Sequence, residues 1–149
     1  MAPGPKSTPT ARPAFSKEER AAMRETVRER RSRARSDPAE SEREVLAKIA
    51  EMAPEDRTIA EKIHALVRTH APGLAPRTWY GMPAYTNAEG KVVVFFQSAA
   101  KFKVRYATIG FQEAAHLDEG NLWPSAFAVT KLTAADKKQV VALLRRAVA

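Results

Sequence analysis

Between Arg77 and Phe111 the chain reads RTWYGMPAYTNAEGKVVVFFQSAAKFKVRYATIGF. Within it, the run KVVVFFQ at Lys91–Gln97 constrains the fold most. A near-continuous stretch of β-branched and aromatic residues suits a central strand covered on both faces or nearly so. Asn87-Ala88-Glu89-Gly90 just before it is a turn. Upstream, Thr78–Tyr80 and Pro83–Thr86 read as strand pieces on either side of Gly81-Met82. Downstream, Ser98–Lys101 is a short connection and Phe102–Gly110 alternates. Phe102, Val104, Tyr106 and Thr108 fall on one face of that strand, Lys103, Arg105, Ala107 and Ile109 on the other. The segment predicts an antiparallel meander.

Helical text surrounds it. Asp37 is a good N-cap and Pro38 suits the first helical position, with Val45, Leu46, Ile49 and Ala50 on one face of a helix running to about Met52. Ala53-Pro54-Glu55-Asp56 starts the next helix, where Ile59, Ile63, Leu66 and Val67 form an apolar stripe up to about His70. After the meander, Gln112–Leu117 reads as one helical turn or two, and Leu122-Trp123-Pro124-Ser125 leads into a strand-like Ala126–Leu132. Thr133 caps a final helix, with Asp136 as its capping-box partner and Val140, Val141, Leu144, Ala147 and Val148 as its buried stripe. Segregated helices and strands predict an α+β fold, an antiparallel sheet of about four to five strands packed against N- and C-terminal helices.

Charge divides the chain differently. The net +8 is concentrated in residues 1–36, which carry ten Lys/Arg against four Glu, so residues 37–149 are close to balanced. Residues 1–15, rich in Pro with Gly, Ser and Thr, predict a disordered tail. Residues 16–36 predict a charged helical extension, opened by Ser16 and Glu19 as a capping box. It is polar nearly all round, with pairs such as Glu25–Arg28 and Glu29–Arg33, so it reads as a solvated and partly frayed helix. The sharper alternative is a basic arm for nucleic-acid phosphates through Arg28, Arg30, Arg31, Arg33 and Arg35. Residues 37–149 form the domain proper.

Several chemistries find no foothold. Without Cys there is no disulfide, thiolate metal site or Cys nucleophile, which suits a reducing cytoplasm. No apolar run approaches a membrane span, and the N-terminus lacks the apolar centre of a secretory signal, so no membrane partner is expected. His64 and His70 are six residues apart, on opposite sides of a helix, and His116 is remote from both in sequence. Ser98 and Ser125 lie in no nucleophile-elbow sequence, and no Gly-rich phosphate loop is present. The chain therefore reads as non-enzymatic.

The strongest local oddity is Trp79-Tyr80-Gly81-Met82-Pro83-Ala84-Tyr85, where a Gly and a Pro interrupt strand-like text and imply a bend. The bend is either a corner of the core or the wall of a ligand pocket. In the pocket reading Trp79, Tyr80, Gly81, Met82, Pro83 and Tyr85 form the wall and Lys101, Lys103 and Arg105 a cationic side suited to an anionic ligand, with Trp123 able to close it.

From about Leu46 onward the chain resembles the YdhG-like family, a domain family of unknown function. The resemblance is carried by WYGMPAY at Trp79–Tyr85, KVVVFF at Lys91–Phe96, KFKVRYATIGF at Lys101–Phe111 and the C-terminal helix introduced by Leu132-Thr133. It implies a frataxin-like sandwich in a bacterial cytosolic protein. Some members are described as iron chaperones, so iron is the cofactor that the resemblance allows. Hard iron ions prefer oxygen ligands, and this chain offers only a sparse ridge of Glu51, Glu55, Asp56 and Glu61 interspersed with Arg57 and Lys62.

Overall fold

The computed structural model describes residues 16–33 and 37–149, with the side chains of 30–33 outside that description. The expected disorder of residues 1–15 and the part assigned to Arg35 therefore lie outside the described residues, as do the side-chain roles expected of Arg30, Arg31 and Arg33. The elements run α1 (Lys17–Arg33), α2 (Pro38–Ala50), α3 (Pro54–His70), β1 (Ala75–Trp79), β2 (Met82–Thr86), β3 (Val92–Gln97), α4 (Ala99–Phe102), β4 (Ala107–Phe111), β5 (Ala126–Val129) and α5 (Ala134–Val148). The five strands form one antiparallel sheet in sequence order, so KVVVFFQ supplies its middle strand. The α+β class expected from the sequence is the class observed.

Register explains which side chains meet the helices. Tyr85 pairs with Val94, Val94 with Phe111, Phe96 with Ile109 and Ile109 with Phe127, so these share the inner face. Val45 and Ile49 of α2, Ile59, Ile63 and Val67 of α3, and Val140, Leu144 and Ala147 of α5 close over that face. The opposite face carries Trp79 and Met82 in register, and Ala84, Phe95 and Gly110 across three strands. The Phe95 ring lies directly over Gly110, where a Cβ would collide with it. Local signals placed the starts of α2 and α5 correctly, although α2 ends at Ala50 and not near Met52. Asp37 accepts from the Glu40 amide, and Thr133 and Asp136 complete a capping box on α5.

Two expectations fail. Phe102–Gly110 is not one alternating strand: Ala99–Phe102 is a helical turn ended by Lys103 in the left-handed region (φ 53°), and β4 begins only at Ala107. The cause is a distant carboxylate. Buried Asp56 of α3 accepts the amide hydrogens of Ala99 and Ala100 at 3.2 and 3.0 Å, so the chain turns there instead of extending. Gln112–Leu117 is likewise irregular and not helical.

The core holds a polar relay. Tyr85, fully buried, lies 2.9 Å from His64 Nδ1, and His64 Nε2 lies 3.1 Å from Glu42, whose same oxygen meets Arg68 Nε at 3.2 Å. A carboxylate paired with a guanidinium only accepts, so His64 Nε2 carries a proton, and in the neutral ring Nδ1 accepts from the Tyr85 hydroxyl. Burial raises the Tyr85 pKa far above its ordinary value, which keeps the hydroxyl protonated. Replacing Tyr85 by Phe leaves His64 Nδ1 without its donor in a buried site. We expect a loss of about 1–3 kcal/mol in denaturant unfolding with the fold retained. Unchanged stability would show that the relay contributes nothing to the fold.

Candidate functional site

The expected pocket wall divides at the β1–β2 turn. Trp79 pairs with Met82 across a connection of only two residues, Tyr80 and Gly81, both at positive φ (50° and 74°). That is the type I′ pattern, which matches the twist of a hairpin and favours Asn-Gly. Tyr80 therefore holds a left-handed conformation that costs a side chain about 1–2 kcal/mol, and its ring stays exposed at the tip. Trp79 stands on the outer face, edge-on to Tyr80 and Phe95 with centroids 5.1 and 5.3 Å away. Tyr85 is an odd number of residues from Met82 and so points into the core, where Pro83 is buried too. Trp123 lies elsewhere, beside Phe111 and Leu122 in the loop before β5.

The expected cationic side also separates. Lys103 and Arg105 lie in the connection between α4 and β4 and not on a sheet face. Arg105 sits over the Tyr106 ring at 5.0 Å, and Lys103 meets Glu18 at 2.6 Å. Lys101 alone reaches the turn, donating to the Gly81 carbonyl at 3.1 Å.

What joins Lys101 there comes from α1, which is no free tail. Glu18, Glu25 and Glu29 are seven and four residues apart and fall on one helical face. That face lies against the domain. The Glu25 carboxylate meets Lys48 of α2 at 3.1 Å and Lys101 at 3.0 Å through one oxygen, and Glu29 accepts the Gly81 amide hydrogen at 2.9 Å. A Cβ at position 81 would displace the flexible ends of Glu25 and Lys101, and the positive φ disfavours any side chain there. The pairs expected within the helix give way, for Glu25, to pairs with the domain.

Beside this seat is a cleft of about 430 Å³ lined by Met52 and Ala53, by Gly81 and Ser98, and by two lysines, Lys48 and Lys101, together with two carboxylates, Glu25 and Glu51. Ser98 is 2% exposed, and its hydroxyl finds no hydrogen-bond partner among the described residues. The lysine ammoniums face carboxylates there and bring more donors than those contacts use. An ammonium has three; Lys101 spends two, on Glu25 and the Gly81 carbonyl, and Lys48 faces two carboxylates, Glu25 and the more distant Glu51. The sequence reading missed Lys48 and Glu25 because neither lies near the bend in the chain. The one available signal was the shared face of Glu18, Glu25 and Glu29 in α1.

No group of three or more His, Asp or Glu among the described residues comes together as a metal-ligand set. Of the sparse acidic ridge weighed for iron, Asp56 is buried under α4 and Glu51 faces Lys48. His70 approaches Arg145, and His116 Nδ1 donates to the Ala149 backbone oxygen, each apart from the cleft. Among the described residues no helix is long and apolar enough to cross a membrane.

Burial raises the Glu25 pKa, but the hydrogen bonds from Lys101 and Lys48 outweigh it and hold the carboxyl below its ordinary 4.5. The Lys103 hydrogen bond lowers Glu18 in the same way. A depressed carboxylate supports the docked state above its ordinary value and loses that support as pH falls through the depressed one. We therefore expect α1 to leave the domain below about pH 4.5 while α3 and β3 stay folded, read from the Gly81 amide resonance and α1 helical shifts. Persistence of α1 shifts down to global acid unfolding would show that these ion pairs do not hold it. Compared with family models, curated proteins and solved structures, the chain has no match in any of the three.

Proposed function

We propose that this chain is a small non-enzymatic binding module that holds a compact anionic ligand in the cleft beside the β1–β2 turn. The observation that carries this reading is the buried Ser98 hydroxyl, unpartnered among the described residues, beside two lysine ammoniums in one 430 Å³ cleft. Leaving such a hydroxyl unsatisfied costs about 1–3 kcal/mol, and a ligand with acceptor oxygens recovers it. The apolar floor of Met52 and Ala53 leaves room for a short carbon skeleton behind the charged group. The resemblance of WYGMPAY to the YdhG-like family sits with this reading, since those residues build the turn. Iron carriage, the version drawn from that resemblance, has less behind it: the Glu25 and Glu51 carboxylates at the cleft are paired with lysines, and among the described residues no group of three or more His, Asp or Glu gathers as hard cations require. Titration of the protein with inorganic phosphate should move the amide resonances of Gly81, Ser98 and Ala100 together. Lys101→Met, which keeps the stem and removes the charge, should weaken that binding at least about tenfold. Equal affinity in the variant overturns the reading.

One further observation favours nucleic acid as a second reading. With Glu18, Glu25 and Glu29 turned inward, Arg20, Arg24 and Arg28 are exposed at a spacing of four residues, one stripe on the solvent side. Such a stripe suits a phosphate backbone. Replacing the three by Gln should lower the slope of log affinity against log salt by about 3 on an oligonucleotide duplex, near one unit per lost phosphate contact. A slope that does not change removes this arm.

A further inference from the structure

Glu25 occupies its two-lysine seat as a ligand would. Its carboxylate oxygen Oε2 is shared by Lys48 and Lys101 at 3.1 and 3.0 Å, and the side chain is only 17% exposed. The rest of α1 gives that carboxylate little apolar backing. Ala22 is buried on the underside, whereas Met23 and Val27 are 43% and 51% exposed. Thr26 is buried with its hydroxyl satisfied inside the helix, by Ala22 O at 2.9 Å. Packing beneath the helix is incomplete: besides the 430 Å³ cleft, a second of about 220 Å³ opens between α1 and α2 above Thr78. The contacts that fix α1 are thus polar, namely Glu18 to Lys103, Glu25 to Lys48 and Lys101, and Glu29 to the Gly81 amide. Ion pairs whose lysines keep contact with water contribute modestly and are open to exchange, so a helix held in this way yields to a competitor for the same cations.

We infer that α1 is an internal competitor for the cleft: the Lys48–Lys101 seat takes a small carboxylate ligand, and Glu25 fills that seat until the ligand displaces the helix. The inference rests on the proposed anion cleft and adds the ligand class and the control of access. Carboxylate is favoured over other anions because a carboxylate is what the seat already holds, at charge-assisted hydrogen-bond distance from both ammoniums. Displacement leaves Lys48, Lys101, the Gly81 amide and the Ser98 hydroxyl as donors around the incoming oxygens. Coupling is reciprocal: whatever loosens α1 tightens the ligand, and the ligand loosens α1.

The test uses full-length protein and succinate, with phosphate as a comparison, followed by amide resonances. Glu25→Gln empties the seat of charge, but removing a negative charge strengthens anion binding even if α1 never moves. Ala22→Phe separates the two effects. It changes no charge and lies outside the cleft, yet overfills the underside of α1. Competition predicts that Ala22→Phe and Glu25→Gln both bind succinate about tenfold tighter than wild type, a coupling in the usual range. It also predicts that succinate makes wild-type α1 more sensitive to trypsin at Arg20, Arg24 and Arg28. A gain of similar size for phosphate assigns the seat to oxyanions in general and overturns the carboxylate preference. Ala22→Phe binding like wild type, with Lys101→Met still silent, overturns competition and leaves the cleft standing. Failure of either anion to move the cleft amides in any variant overturns both proposals.

Discussion

The two-residue turn at Tyr80–Gly81 is the constraint on which the rest of the structure depends. In a hairpin, turn length fixes register, and a slip of one residue would exchange the two faces of every strand that follows. With Trp79 set opposite Met82, Tyr85 and Val94 face the helices and Trp79 and Phe95 face away. The same turn presents the Gly81 amide and carbonyl at the end of the sheet, where Glu29 and Lys101 take one each. Tyr80 pays for this with a left-handed backbone that a side chain ordinarily avoids.

Two carboxylates buried or half-buried far from their partners in sequence give the site its shape. Asp56 draws the chain after β3 into a helical turn and thereby sets Lys101 beside Gly81. Glu25 then bridges Lys101 to Lys48 and ties α1 to the domain. Neither contact is a large hydrophobic burial. The inner face of the sheet is closed by α2, α3 and α5, so the core keeps its cover without α1. A helix attached in this manner is poised to respond to salt, acid and competing anions, because screening and protonation act on ion pairs far more than on buried apolar area.

Much of the fold was legible because it rests on local rules. Hydrophobic periodicity marked α2, α3 and α5, the caps at Asp37 and Thr133 marked their starts, and the run at Val92–Gln97 marked the middle strand. The alternation of Phe102–Gly110 misled, because a side chain 43 residues away intervenes at Ala99. The candidate site was legible only in part. Gly81 and Lys101 belong to it, but Tyr85 serves the core, and Lys103, Arg105 and Trp123 lie apart from the cleft.

The sequence alone determined the α+β class, the order of helices and strands, and the peculiarity of the WYGMPAY bend, since periodicity, capping and turn chemistry are properties of neighbouring residues. Only the tertiary structure decided that Glu18, Glu25 and Glu29 of α1 turn inward, that Lys48 joins Lys101, and that Ser98 lines their cleft. Those meetings depend on long-range packing and on charges that find each other across the fold, and a linear pattern of residues carries no record of such distances.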